Sequence, residues 1–213
     1  MTGFVFLLLT ITAAVAVFDW AAVHVKLKPL EYVAKPLTMI TLMAAVLAME
    51  PTSTSSRSCF LVALLFCLIG DVFLMLPDRE RFFVYGLGSF LIGHLAYIPG
   101  LLLLGFEGRL FIVGALVVAA FVVTIGRRVV KGVREAEPKL APPVTVYMGV
   151  ISVMVISAFA SGHTIAIAGA LLFYVSDALI AWNTFIEEHP WGRLAIIVTY
   201  HVGQIALALS LVY

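Results

Sequence analysis

The chain has 213 residues, 63% of them hydrophobic and only 12% charged, with a net charge of +1 and a mean hydropathy of +1.13. A soluble domain carries about 25% charged residues, so this composition excludes one of any size and leaves an integral membrane protein. The charge balance carries no information about partners, and no nucleic-acid partner is expected.

Taken in chain order, eight apolar stretches are long enough to cross a bilayer, which takes about 20 residues. They cover 3–23, 36–50, 59–77, 82–104, 108–126, 143–160, 164–186 and 193–213. The expected class is therefore all-α: a polytopic membrane protein of eight transmembrane helices in one domain, 1–213. No Lys or Arg precedes the first stretch, which reads as a span rather than a cleaved signal. Pro36 and Pro143 open the second and sixth stretches, as suits a first helical turn. Cys59 and Cys67 share the third stretch, about 12 Å apart at the helical rise, too far for a disulfide. The longest polar connection is 127–142, whose Arg127, Arg128, Lys131, Arg134 and Lys139 read as a topology signal.

Basic residues are strongly asymmetric. Lys26, Lys28, Lys35, Arg79, Arg81, the five just named and Arg193 fall in odd-numbered connections, while the even-numbered ones hold Arg57 and Arg109. By the positive-inside rule the odd connections are cytoplasmic and both termini lie outside, in what is expected to be a bacterial inner membrane. Asp19 and Glu50, near span ends, read as interfacial, as do Trp20, Trp182 and Trp191. A weak repeat runs through the chain. Asp71 and Asp177 are 106 residues apart, Pro36 and Pro142 share that offset, and LLFCLIGD resembles LLFYVSD. This points to two parallel four-helix repeats, 1–106 and 107–213, with chance likeness of apolar segments as the alternative.

The sharpest signal is two aspartates inside spans, Asp71 and Asp177. Each would cost about 2.5–3.5 kcal/mol at a helix centre, so both are expected to face protein or water and to mark function. Counting the rise from the odd-connection ends puts Asp71, Asp177, Tyr147, His201, Gln204 and His94 between about 6 and 18 Å deep. Lys35 and Thr38 begin the second span, and Tyr97 lies beyond His94. Phe90, His94 and Tyr97 share one helical face, and Tyr200 and Gln204 another. Small residues, Gly70 and Ser176, precede the two aspartates and allow close approach. Each residue also has a plainer reading. The carboxyls could bond across helices, the histidines and tyrosines could be satisfied core residues, and Lys35 could snorkel at the interface. No metal spacing is present, no Ser-His-Asp elbow, and Gly86-Leu87-Gly88 lacks the context of a phosphate loop. No cofactor is expected.

Six segments then carry a resemblance: KPLT (35–38), GDVFLML (70–76), FLIGHLAY (90–97), PVTVY (143–147), GALLFYVSDALIAW (169–182) and YHVGQ (200–204). In order and spacing they resemble the YhhN-like family of integral membrane lysoplasmalogenases, from about residue 30 onward. The resemblance implies eight spans and hydrolysis of the vinyl ether bond of lysoplasmalogens, giving a fatty aldehyde and a glycerophospho-base such as glycerophosphoethanolamine or glycerophosphocholine. It places the family's two aspartates on Asp71 and Asp177, and its lysine, tyrosine and histidine on Lys35, Tyr147 and His94. Vinyl ether hydrolysis needs a proton donor and an anion flanking an oxocarbenium-like centre, as in glycosidases. Asp71, Asp177 and His94 are the expected catalytic residues. Lys35, Tyr147, Tyr97, Ser176, Tyr200, His201 and Gln204 are expected to line the lysophospholipid substrate, with membrane lipid around the bundle. The alternative is a proton-coupled transporter or a non-catalytic lipid-handling protein.

Overall fold

A computed structural model describes residues 2–77 and 79–213, with the side chains of Arg79 and Glu80 outside the description. Among the described residues the chain is all helical, with no strand. The helices are α1 Gly3–His24, α2 Lys28–Ala48, α3 Thr54–Met75, α4 Arg79–Leu102, α5 Gly108–Ala136, α6 Ala141–Ser161, α7 Thr164–Phe185 and α8 Gly192–Leu209. Each is long and apolar enough to cross a membrane, so the protein is a polytopic helical membrane protein. Cys59 and Cys67 both lie on α3 and are free.

Local chemistry sets the boundaries. The Thr2 hydroxyl accepts the Val5 N–H at 3.4 Å and Ser53 accepts that of Ser56 at 3.2 Å, capping α1 and α3. Pro142 and Pro143 open α6, where a missing N–H costs nothing, and Gly162 ends it at φ 80°. Arg57, one of the two basic residues at the opposite end, bonds the Met49 carbonyl just past α2 at 3.1 Å.

Two expected boundaries are corrected. Helix α2 starts at Lys28, not at Pro36, so Pro36 lies inside the helix rather than in its first turn. The turn after α1, with Lys26 at φ 58°, delivers Lys28-Pro29 as a helix start, and the helix runs through Glu31 and Lys35 before the expected span begins. The expected polar connection 127–142 is also largely helix. Helix α5 passes through a π turn at Val122–Gly126 and continues to Ala136. Val129 and Val133, four residues apart, are buried against Ala141 and Val144 of α6, while Arg127, Lys131 and Arg134 stay exposed. That apolar stripe holds the segment helical despite its charge.

Sequential neighbours pack within each half, α1 to α4 and α5 to α8. The halves meet where α4 packs on α6 and where α8 packs on α1 and α2. The α7–α8 crossing is close. A Cβ on Gly169 would lie 2.8 Å from the Leu207 nitrogen, and one on Gly203 would lie 3.0 Å from the Gly169 carbonyl. Small residues here let two backbones touch, which brings Asp177 and Tyr200 into one layer.

Candidate active site

Asp71, near the end of α3, is 1% exposed. The Lys35 ammonium, from α2, lies 2.8 Å from its Oδ1, and the Tyr200 hydroxyl, from α8, donates to its Oδ2 at 2.6 Å. The same hydroxyl touches the Met39 sulfur at 3.5 Å, and the ammonium sits 5.8 Å from the Tyr200 ring centre. A buried anion thus has a cation and a phenol, the pairing that a desolvated carboxylate requires.

Asp177, on α7, has a different set. Tyr147, from α6, donates its hydroxyl to Asp177 Oδ2. His94 Nε2, from α4, lies 2.8 Å from the Tyr147 oxygen and 3.3 Å from Asp177 Oδ2. Because the phenol donates to the carboxylate, its oxygen is left to accept, and the imidazole proton belongs on Nε2. A chain of hydrogen bonds therefore runs from His94 through Tyr147 to Asp177. His94 itself is fully buried, with Nδ1 unpartnered among the described residues.

The two centres share a plan. Each carboxyl, on the third helix of its half, meets one side chain from the second helix of that half and one ring from the fourth helix of the other half. The two rings, His94 and Tyr200, are 106 residues apart, as are the aspartates. Phe173 stands between, its ring 4.7 Å from that of His94 and 5.3 Å from that of Tyr200, with Phe90 edge-on to both Phe173 and Tyr200.

Two cavities meet this layer. A half-open apolar cavity, about 690 Å³ with its open mouth included, lies between α4, α5, α6 and α7 beside the π turn, with Tyr147 and Asp177 in its wall. A wider polar vestibule of about 1750 Å³, open mouth included, lies among the ends of α2, α3, α7 and α8, with Lys28, Glu31, Lys35, Glu188 and Arg193 on its wall. Arg193 reaches Glu31 in a two-pronged pair at 2.9 Å.

Other expected site residues lie elsewhere. Tyr97 donates to the Gln204 carbonyl at 2.5 Å, deeper in the bundle, where both are buried. The Ser176 hydroxyl donates to the Ile196 carbonyl at 3.0 Å and fastens α7 to α8. His201 faces away from both carboxyl centres and accepts from the Trp20 indole at 3.2 Å on Nδ1. Its Nε2 points at Asp19 Oδ2, 4.0 Å away. Asp19 corrects the interfacial reading: its side chain is fully buried, and neither oxygen has a hydrogen-bond partner among the described residues. Helical phase explains the difference, because Asp19 and Trp20 turn toward α8 rather than toward the membrane surface. Among the described residues no three His, Cys, Asp or Glu side chains gather as metal ligands.

A helical bundle with two partnered carboxyls buried between an apolar cavity and a polar vestibule defines a membrane protein with an intramembrane polar site. The chain belongs to the YhhN family, whose model matches residues 30–211. It is 31% identical over 157 residues to lysoplasmalogenase TMEM86B of Homo sapiens, covering 70% of this chain and 61% of that protein. It is 36% identical over 192 residues to a lysoplasmalogenase of Mycobacterium bovis, covering 86% and 70%. To lysoplasmalogenase TMEM86A of Bos taurus it is 32% identical over 168 residues, covering 71% and 64%. The chain thus spans less than two thirds of the length of these mammalian relatives. No solved structure matches it.

Proposed function

We propose that the protein is a lysoplasmalogenase-like hydrolase that cleaves the vinyl ether of a 1-alkenyl lysophospholipid. The observation that carries this reading is Asp177 in the wall of an apolar cavity, backed by Tyr147 and His94. Both hydrogen bonds to Asp177 fall on Oδ2, which leaves Oδ1 as the oxygen free for substrate. Asp177 is then the proton donor and Asp71, held by Lys35, the fixed anion.

The steps balance as follows. Asp177 gives its proton to the β-carbon of the vinyl ether, and the α-carbon and ether oxygen share the resulting positive charge. Water adds to the α-carbon and returns a proton to Asp177. The hemiacetal passes its hydroxyl proton to the ether oxygen and breaks into aldehyde and glycerophospho-base. His94 and Tyr147 hold Asp177 Oδ2 through both half-reactions. Asp71 reaches neither cavity wall and acts through Lys35, which lines the vestibule and would meet the phosphate. A general acid of this kind contributes roughly 10²–10⁴-fold. Asp177→Asn should therefore lower aldehyde release from purified protein by at least about 10²-fold while binding of a saturated 1-alkyl lysophospholipid persists. Near-normal turnover would remove Asp177 from the mechanism, and lipid binding or flux without aldehyde from the wild type would favour a lipid-handling protein.

We also infer that residues 1–106 and 107–213 are two parallel halves, with the basic ends of the helices cytoplasmic and both termini outside a cell's inner membrane. Supporting the repeat, Gly70 packs on Phe90 while Ser176 bonds Ile196, and each pair is the other displaced by 106 residues.

A further inference from the structure

The apolar cavity and the polar vestibule share two wall residues among those described, Leu74 on α3 and Ile180 on α7. The same two side chains also line the small cleft between them. Leu74 follows Asp71 by three residues and Ile180 follows Asp177 by three, so each stands about 4.5 Å along the helix axis from its carboxyl, on the same face. The two are 106 residues apart, the offset that relates the aspartates. Leu74 lies against α4 where Gly86 leaves room, since a Cβ there would come within 2.7 Å of its Cδ2. Ile180 is β-branched and therefore stiff at χ1 on its helix. Both are half-buried.

We propose that Leu74 and Ile180 form a neck that admits one hydrocarbon chain, and that this neck restricts the substrate to single-chain amphiphiles. The inference rests on the lysophospholipid reading above and names the side chains that enforce it. An amphiphile has one junction between head and chain. With the head in a vestibule walled by Lys28, Lys35 and Arg193 and the chain in the apolar cavity, that junction lies at the neck. The reacting double bond is the first of the chain, so the neck sets it one helical turn from Asp177. A second chain, carried on the next glycerol carbon, would have to pass between the same two side chains.

Replacing either side chain with alanine opens the neck without touching a hydrogen bond of the carboxyl centres. Purified wild type, Leu74→Ala and Ile180→Ala would be compared on a 1-alkenyl lysophospholipid and on its 2-acyl counterpart. The preference for the single-chain substrate, as a ratio of kcat/KM, should fall by at least about tenfold in each variant, through a gain on the two-chain lipid. The narrowing substitution Ile180→Phe should raise KM for the single-chain lipid with a smaller effect on kcat. Competition by saturated 1-alkyl and 1-alkyl-2-acyl phospholipids against a fluorescent lysophospholipid reads the same preference without turnover. A preference unchanged in the alanine variants overturns the neck, as does an unchanged KM in Ile180→Phe should the alanine variants not fold. Selective single-chain binding by a wild type that releases no aldehyde would overturn the reaction and leave the neck standing.

Discussion

Lys35 and Asp71 form an ion pair in a place where neither charge tolerates being alone. Removing one partner of a buried pair costs about 3–5 kcal/mol, whereas replacing both with apolar groups is often neutral. Lys35→Met should therefore lower the thermal midpoint in detergent sharply. The double variant Lys35→Met, Asp71→Leu should recover most of that loss without recovering aldehyde release. A Lys35→Met protein as stable as wild type would mean that the pair contributes nothing to folding. At this scale much was legible in the sequence. A deep aspartate in an apolar run is expected to be partnered, and Asp71 and Asp177 are. Lys35 was open between snorkelling and phosphate contact, and its bond to Asp71 depends on α2 and α3 being neighbours, which local sequence does not encode. Asp19 was misread because distance from a span end gives depth, whereas burial depends on which neighbour a helical face meets. The role of Leu74 and Ile180 left a trace in the shared offset, three residues beyond each aspartate, but two ordinary aliphatic side chains in apolar helices carry no other signal.

The α7–α8 crossing fixes where Asp177 and Tyr200 sit. Gly203→Ala puts a methyl group against the Gly169 carbonyl and the Phe173 nitrogen, both backbone atoms that cannot turn aside. Overpacking of this kind typically costs about 1–3 kcal/mol, and it should lower turnover as well, because α8 carries Tyr200. Gly149→Ala is the control: nothing lies within 4 Å of a Cβ there, so stability should hold or rise through helix propensity. Equal losses in the two variants, measured by thermal unfolding, would show that the crossing has room to spare. The existence and number of helices were legible from hydropathy alone. The start of α2 and the extent of α5 were not, because hydropathy reports contact with lipid, whereas a helix propagates through polar residues once one face is held. Val129 and Val133 are that hold in α5.

Each carboxyl centre draws one ring from the opposite half, His94 to Asp177 and Tyr200 to Asp71. Residues 1–106 or 107–213 produced alone should therefore release no aldehyde, while the two produced together should regain activity through α4–α6 and α8–α2 packing. Activity in a single half would show that the centres do not depend on each other's helices. For the repeat proposed above, the sequence supplies the offset through its two aspartates. Only the contacts pair His94 with Tyr200, two different side chains in matching places.

The partners of Asp71 also differ in when they come into being. Lys35 is synthesised before α3, and Tyr200 long after it, near the end of the chain. As α3 leaves the ribosome its carboxylate can already meet a neighbour of opposite charge, so the third span need not wait for the last one to become acceptable to the bilayer. Asp177 follows its own Tyr147 and His94 in the same way. The order of the genetic message thus supplies each acidic span with a companion before it must insert, and Tyr200 arrives last, to close a centre whose charge has been settled since the first third of the protein was made.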